Sequence, residues 1–187
     1  MHFSLIDGRI HPALFLPSPN HNARPEGVTI SLLVVHNISL PPGEFGGGHI
    51  QALFHNRLDA QAHPYFTTIA DLRVSAHCLI SRTGELTQFV NLEQRAWHAG
   101  VSCFDGVENC NDYSIGVELE GTDDTPYTEP QYRTLAALSQ TLLSSYPELI
   151  ASRIVGHSTI APGRKTDPGQ AFDWPYFFSC LADCGHQ

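Results

Sequence analysis

One loop of this sequence holds a histidine, a lysine and an aspartate between its ends and contains two Pro-Gly turns. It runs from Gly156 to Gly169 and includes His157, Lys165 and Asp167. Imidazole and carboxylate groups are both ligands of zinc, and the ammonium group of Lys165 could act on whatever such a metal binds. Loops rich in proline and glycine can hold their side chains in fixed positions. The loop therefore predicts part of a catalytic metal site.

A further histidine, His36, directly follows an apolar run at residues 29–35, which is predicted to be a buried strand. His157 also follows a short predicted strand, at residues 153–155. Two histidines and the carboxylate of Asp167 would leave one tetrahedral position open for water, which is the pattern of a catalytic zinc. Spacing alone does not establish that His36 and His157 meet, and a single histidine is more often structural.

A metal hydrolase also needs a base, and the predicted strand at residues 113–120 offers two carboxylates. Glu118 and Glu120 point to the same face of this strand, because strand side chains alternate. Gly116 lies on that face as well and leaves space beside Glu118. The alternative is that both carboxylates belong to an ordinary solvated polar face.

Several other residues have contexts that permit binding or a structural role. Trp97 and His98 are adjacent and could form a wall for a sugar or a peptide, whereas His77 precedes an apolar run and is interpreted as a hydrogen-bonded core histidine. Arg73 and Arg164 are candidate anion binders, although a single arginine is usually only a surface charge.

The elements that must position these residues form a mixed sheet with helices packed on it. Strands are predicted at residues 29–35, 72–80, 85–90, 113–120 and 153–155, with a hairpin turn at residues 81–84. Helices are predicted at residues 49–58, after a capping box formed by Thr128 and Gln131, and after an N-cap at Asp173. The fold class is α/β or α+β, in a single domain over residues 1–187 with an irregular N-terminal arm at residues 1–27.

Composition narrows the classes of partner. A length of 187 residues fits one domain, and a net charge of −9 argues against nucleic acid as a partner. The sequence has no apolar run of about 18 residues, and its N-terminus lacks the pattern of a signal peptide, so a cytoplasmic protein without a membrane partner is expected. The five cysteines are interpreted as free thiols, with a metal-binding pair at Cys180 and Cys184 as the alternative.

Several ordered motifs together resemble one family, the zinc N-acetylmuramoyl-L-alanine amidases, whose fold is similar to that of phage lysozyme-type amidases and peptidoglycan recognition proteins. The motifs lie at residues 34–47, 75–80, 96–100, 114–121 and 156–169, and the resemblance covers roughly residues 17–178. It implies an amidase fold with a mixed central sheet flanked by helices.

The resemblance also implies roles for individual residues. It makes His36, His157 and Asp167 the ligands of Zn²⁺, and Glu118 and Lys165 the catalytic residues. The expected substrate contacts are Asn37, Arg73, Trp97 and His98. One position departs from the family pattern, because Asn109 stands where related enzymes can carry an arginine that helps to bind substrate.

The implied reaction is hydrolysis of the amide that joins N-acetylmuramic acid, in its 1,6-anhydro form, to L-alanine of a muropeptide. A monomer that takes a small anhydromuropeptide is expected, with a place in cell-wall recycling and thereby in the regulation of β-lactamase. Two alternatives remain open at this point: a non-catalytic peptidoglycan-binding module, and a phage-type lysin that cleaves polymeric peptidoglycan.

Overall fold

The two longest strands lie side by side at the centre of a mixed sheet. In this computed structural model, which describes residues 2–185, the strands are β1 (Ser4–Ile6), β2 (Arg9–His11), β3 (Leu14–Phe15), β4 (His21–Ala23), β5 (Leu32–Ile38), β6 (Cys78–Ile80), β7 (Leu86–Gln88), β8 (Gln94–Ala96), β9 (Cys103–Phe104), β10 (Val107–Glu108), β11 (Ser114–Glu120) and β12 (Ile154–Gly156). The sheet has six strands in the order β12-β5-β11-β6-β7-β3. Its first four strands are mutually parallel, β7 runs antiparallel to β6, and β3 runs parallel to β7.

Within residues 2–185, four α-helices accompany the sheet: α1 (His49–Phe54), α2 (Glu129–Ser145), α3 (His157–Ile160) and α4 (Trp174–Cys184). The predicted capping box starts α2, since the Thr128 hydroxyl accepts from the Gln131 amide at 3.3 Å and the Gln131 side chain accepts from the Thr128 amide at 3.1 Å. The predicted N-cap of α4 is also present, with the Asp173 carboxylate accepting from the Tyr176 amide at 2.9 Å. The predicted mixed sheet with flanking helices is therefore confirmed.

Alternate residues of the central strands face two different cores. Leu33 and Val35 of β5 pack in the large core that also contains the apolar faces of α2 and α4, whereas Leu32 and Val34 pack in a smaller core with Ile160. Burial of each such side chain contributes roughly 1.5–3 kcal/mol. His36 follows the alternation of Leu32 and Val34, which places its ring on the side of the sheet away from α2 and α4.

The N-terminal arm is not irregular, which corrects the prediction for residues 1–27. Strands β1 and β2 form a hairpin, β3 adds an edge strand to the central sheet through β7, and β4 pairs with β8. These strands have two or three residues each, and β3 and β4 obtain their hydrogen bonds from distant segments, whereas β1 and β2 pair with each other across the turn at Asp7 and Gly8. Local sequence patterns carry no signal of that length.

All five predicted strands shift in their bounds, and two of them shift most. The strand predicted at residues 72–80 is limited to β6, at Cys78–Ile80, and β5 continues beyond residue 35 to Ile38. The extension occurs because β11 pairs with β5 along its whole length, up to the pair Glu120 and Ile38. His36 and Asn37 consequently lie inside a strand and not in the loop after it.

Two predictions about composition can also be compared with the structure. All five cysteines lie within the described residues and are free thiols, as predicted. Among the helices of residues 2–185, none combines the length and the hydropathy needed to cross a bilayer.

Candidate metal centre and catalytic cleft

The structure brings His36, His157 and Asp167 together in one cluster. The Nδ1 atoms of His36 and His157 are 3.0 Å apart, and each lies 3.0 Å from Oδ2 of Asp167. Both rings are buried, at 1% and 3% exposure. The cluster thus combines two imidazole nitrogens and one carboxylate oxygen in a geometry that could hold a metal ion.

Strand pairing and one glycine produce this convergence. Strand β12 pairs with β5 so that Gly156 lies opposite Val35. The next residue, His157, is therefore placed close to His36 on β5. A Cβ atom on Gly156 would lie only 2.7 Å from Cδ of Pro168, so a glycine is needed where the Asp167 segment returns. The backbone carbonyl of Asp167 then accepts a hydrogen bond from the Ser158 amide at 3.0 Å.

The protonation states of His36 and Asp167 allow this cluster to bind a metal cation. Burial lowers the pKa of His36 to about 4, and the neighbouring His157 acts in the same direction. Burial alone would raise the pKa of Asp167, but hydrogen bonds with His157 and His36 outweigh it and hold that pKa below its ordinary value. Near neutral pH the cluster therefore offers a neutral His36 imidazole and an ionised carboxylate, which are the forms that bind metal ions.

Glu118 is placed next to this cluster with part of its carboxylate unused. It lies opposite His36 in the register of β11 and β5. Its Oε2 atom is buried and lacks a hydrogen-bond partner among residues 2–185. Burial raises the pKa of Glu118 well above its ordinary value, the charge of Asp167 raises it further, and Lys165 opposes the shift. A buried carboxyl with a raised pKa and a free oxygen has the properties of a general base.

The second carboxylate of the strand has a different task. Glu120 accepts hydrogen bonds from the backbone amide of Gly46 and, at 3.1 Å, from that of Arg82. It thereby ties two loops to the end of β11. Of the two carboxylates that the sequence offers, only Glu118 has a buried oxygen that remains unpaired within the described part of the chain.

The two basic residues of the ligand loop also differ. Lys165 is exposed and lines the cleft above the cluster. The guanidinium of Arg164 donates to the carbonyls of Ala99 and Val101, both at 2.6 Å, and so fastens a neighbouring segment. Arg164, a candidate anion binder in the sequence, therefore has a structural task, while Lys165 is the loop cation that faces the cleft.

The cluster forms the floor of a cleft of about 370 Å³. Its walls include an apolar set that the sequence did not indicate: Leu40, Leu53, Phe54, Tyr65, Ile69 and Leu72. These residues come from α1 and from the loops around it. They were missed because apolar side chains carry no chemical signature, and the sequence could only assign them to a core or a loop.

The predicted substrate contacts lie at different places relative to this cleft. Asn37, Trp97 and His98 line it. The Asn37 amide donates to Asp123 Oδ1 at 2.8 Å and to the Pro168 carbonyl at 3.1 Å, and the Trp97 indole donates to Asn22 Oδ1 at 2.7 Å.

Arg73 is exposed and does not line the cleft, although its neighbours Leu72 and Val74 do. Its Nη1 atom lies 3.5 Å from the Leu72 carbonyl, a weak contact that leaves the guanidinium available. The role of Arg73 in substrate binding stays a prediction, as do those of Asn37, Trp97 and His98.

His77 is a core histidine, as interpreted from the sequence. Its Nδ1 accepts from the Gly116 amide at 3.0 Å, and its Nε2 donates to the Gln94 carbonyl at 3.0 Å. Beside it lies Arg24, a partly buried residue that the sequence did not indicate. The Arg24 guanidinium donates to backbone carbonyls, among them that of Ser114 at 2.9 Å, and so ties the N-terminal arm to the central sheet.

With this geometry established, comparison with known proteins identifies the class. The model of the N-acetylmuramoyl-L-alanine amidase family matches residues 26–170, which is more than half of the chain. The chain therefore belongs to the N-acetylmuramoyl-L-alanine amidases.

Within this family, the chain is similar to several individual proteins. The chain is 60% identical over 173 residues to the 1,6-anhydro-N-acetylmuramyl-L-alanine amidase AmpD of Escherichia coli K12, covering 92% of this chain and 94% of that protein. A crystal structure of a selenomethionine derivative of AmpD superposes with a TM-score of 0.92 at 56% identity, covering 95% of this chain and 98% of that one. AmpDh3 of Pseudomonas aeruginosa, solved in complex with an anhydromuramic pentapeptide, has a TM-score of 0.64 at 29% identity and covers 83% of this chain and 61% of that one.

Proposed function

We propose that this chain is a zinc amidase that hydrolyses the bond between 1,6-anhydro-N-acetylmuramic acid and L-alanine in soluble muropeptides. One observation carries the proposal: a buried carboxylate oxygen of Glu118, unpaired among the described residues, lies beside the His36–His157–Asp167 cluster. The near full-length match to relatives named for this activity supports the substrate. The anhydromuramic pentapeptide bound by AmpDh3 supports it independently.

The donor set fits zinc in its chemistry. Two imidazole nitrogens and one carboxylate oxygen form a three-ligand set that is common for catalytic zinc and leaves a fourth position open for water. We assign His36, His157 and Asp167 as the ligands. Zn²⁺ held there would supply Lewis acidity, which lowers the pKa of a water molecule and polarises an amide carbonyl.

Glu118 acts as the proton carrier in this proposal. Its carboxylate takes a proton from the attacking water, and the water oxygen bonds to the carbonyl carbon of the lactyl group. Glu118 then delivers the proton to the nitrogen of L-alanine, and the carbon–nitrogen bond breaks. The products are a muramic carboxylate and a free peptide amine. A raised pKa suits both halves of the task, because the group must accept a proton and later release it.

Lys165 provides positive charge for the transition state. Attack on the carbonyl places negative charge on its oxygen, and an ammonium group at the cleft can stabilise that oxygen. Lys165 is the cation of the ligand loop that lines the cleft, because Arg164 is fastened to backbone carbonyls. The stem peptide also carries carboxylates, for which Arg73 is the proposed partner at the entrance.

The remaining walls suit an amphipathic ligand. Asn37 and Trp97 line the cleft together with the apolar set from α1 and its neighbouring loops. A sugar ring presents apolar faces and polar edges, so both kinds of wall are useful. We further propose that the chain acts as a monomer on soluble wall fragments in the cytoplasm, as part of cell-wall recycling.

One comparison of substrates tests this function. Purified protein is incubated with soluble anhydromuropeptide and, in parallel, with intact peptidoglycan sacculi, and peptide release is followed by mass spectrometry. We expect free peptide from the soluble substrate and far less from sacculi. Equal or faster release from sacculi would indicate a wall lysin, and binding without release from either substrate would indicate a non-catalytic module.

A further inference from the structure

The far nitrogens of both proposed ligand rings are held by two consecutive residues. Nε2 of His157 lies 3.0 Å from the carbonyl oxygen of Ala99, and Nε2 of His36 lies 2.9 Å from Nδ1 of His98. A carbonyl oxygen can only accept, so the His157 proton sits on Nε2 and the lone pair of its Nδ1 is left for a metal. The partner of His36 is different, because a histidine ring can either donate or accept.

The His98 ring packs against Gly116 and has a second hydrogen-bond partner, Ser114. Nε2 of His98 lies 3.1 Å from the hydroxyl oxygen of Ser114, which is fully buried at the start of β11. The ring packs against the strand at Gly116, where a Cβ atom would lie 2.4 Å from Cγ of His98. The backbone amide of His98 donates to Asn111 Oδ1 at 3.0 Å, which fixes the segment from outside.

We propose that His98 is a positioning residue of the metal centre, and that it acts through His36. In the metal-loaded protein the His36 Nε2–H donates to Nδ1 of His98, and the His98 Nε2–H donates to the Ser114 hydroxyl. These two hydrogen bonds keep the His36 proton on Nε2, so that the Nδ1 lone pair points to the cluster. Outer partners of this kind orient ligand rings and increase their basicity, and their loss typically weakens metal binding 10–100-fold.

This assignment also explains which part of His98 a ligand can reach. Both of its ring nitrogens have protein partners, His36 and Ser114, so neither is available to hydrogen-bond a muropeptide. His98 lines the cleft, and its ring can contact a muropeptide there through carbon atoms only. Gly116 contributes to the position of His98, because any larger residue there would displace the His98 ring.

The inference rests on the proposed zinc site, and zinc binding in solution tests it. Zn²⁺ affinity is measured by competition with a chromogenic chelator for the wild type, His98→Leu and His98→Asn. Leucine keeps the bulk but cannot accept a hydrogen bond, whereas Oδ1 of asparagine can stand close to the position of Nδ1. His21→Leu, the same change at an exposed histidine, is the matched control.

We expect His98→Leu to bind Zn²⁺ 10–100-fold more weakly, His98→Asn to recover part of that loss, and His21→Leu to match the wild type. The visible spectrum of the Co²⁺-substituted protein should shift in His98→Leu. Wild-type affinity and an unchanged spectrum in His98→Leu would overturn the proposal, as would an equal loss in His98→Leu and His98→Asn.

A measurement on the wild type alone guards against variants that fail to fold. In the zinc-loaded protein, ¹⁵N NMR of the histidine rings should show His36 protonated at Nε2 and without a proton at Nδ1. A proton on Nδ1 of His36 would overturn the proposed pair of hydrogen bonds through His98. Failure of the wild type to bind zinc would overturn the proposed metal site together with this inference. Zinc binding without muropeptide hydrolysis would overturn only the proposed reaction.

Discussion

Glu118 and His36 face each other in register on two parallel strands at the centre of the sheet. The proposed base and one proposed ligand are therefore fixed by backbone hydrogen bonds and not by loops. The other two ligands, His157 and Asp167, are then brought to this fixed pair by β12 and by the loop that follows it. Sites built on strands are held more accurately than sites built on loops, and a metal-assisted hydrolysis requires that accuracy.

The first prediction separates the proton carrier from the metal site. Glu118→Gln should lower turnover by roughly 10²–10⁴-fold, because an amide cannot accept the proton, while zinc content stays at the wild-type level. Steady-state hydrolysis of anhydromuropeptide and metal analysis of the same preparation provide both numbers. The matched control is Glu108→Gln, the same change at an exposed glutamate, which should keep turnover within a few-fold. A fully active Glu118→Gln protein would remove Glu118 from the mechanism.

The second prediction concerns the carboxylate ligand. Asp167→Asn should weaken zinc binding, because a neutral amide oxygen replaces a charged ligand, and the protein should lose zinc on dialysis. Asp173→Asn is the control, since asparagine caps a helix as well as aspartate does and should leave both zinc content and stability unchanged. Zinc retained by Asp167→Asn at the wild-type level would show that Asp167 is not a ligand.

The third prediction concerns Lys165. Lys165→Met keeps much of the length of the side chain but removes its charge, and should lower turnover by about 10²–10³-fold, the usual effect of losing a group that stabilises an oxyanion. Zinc content should not change. Arg133→Met removes a cation from the exposed face of α2 and should leave turnover unaltered. An effect confined to the Michaelis constant would reassign Lys165 to substrate binding.

The fourth prediction uses the buried histidine His77. Burial lowers its pKa in the folded protein to about 3, and the nearby charge of Arg24 acts in the same direction. The unfolded chain therefore binds a proton at His77 between about pH 6.5 and pH 3 that the folded protein does not bind. Stability should fall as the pH falls through this window, with a contribution of at most about 1.4 kcal/mol per pH unit from this one group.

Urea unfolding of the chelator-treated protein at several pH values measures this dependence. His77→Gln can keep an acceptor and a donor but cannot titrate, so its stability should fall less steeply with decreasing pH than that of the wild type. His21→Gln, at an exposed position, controls for the general effect of removing a histidine. Identical slopes in the wild type and His77→Gln would contradict the burial argument.

Local patterns predicted the parts of the fold that depend on neighbours in sequence. The capping box of Thr128 and Gln131, the N-cap at Asp173 and the long strand around Glu118 all have short-range signals, and all are present. The ligand loop was recognised from its residue types, and the structure places His157 and Asp167 in contact.

Features that depend on distant segments were not predictable in this way. The extension of β5 past His36 exists because β11 pairs along it, and β4 exists because β8 supplies its hydrogen bonds. Arg164 looked like an anion binder, since nothing near it in sequence reveals that the carbonyls of Ala99 and Val101 lie within reach. His98 is equally remote in sequence from His36, the proposed ligand that its ring contacts.

We propose that this chain is a zinc amidase whose ligands are His36, His157 and Asp167. The most direct test is hydrolysis of soluble anhydromuropeptide by the wild type as purified, after removal of metal with a chelator, and after addition of a stoichiometric amount of Zn²⁺. We expect the chelated protein to stay folded but inactive, and Zn²⁺ to restore the release of peptide. Full activity in the metal-free protein, or no activity in the zinc-loaded protein, would contradict it.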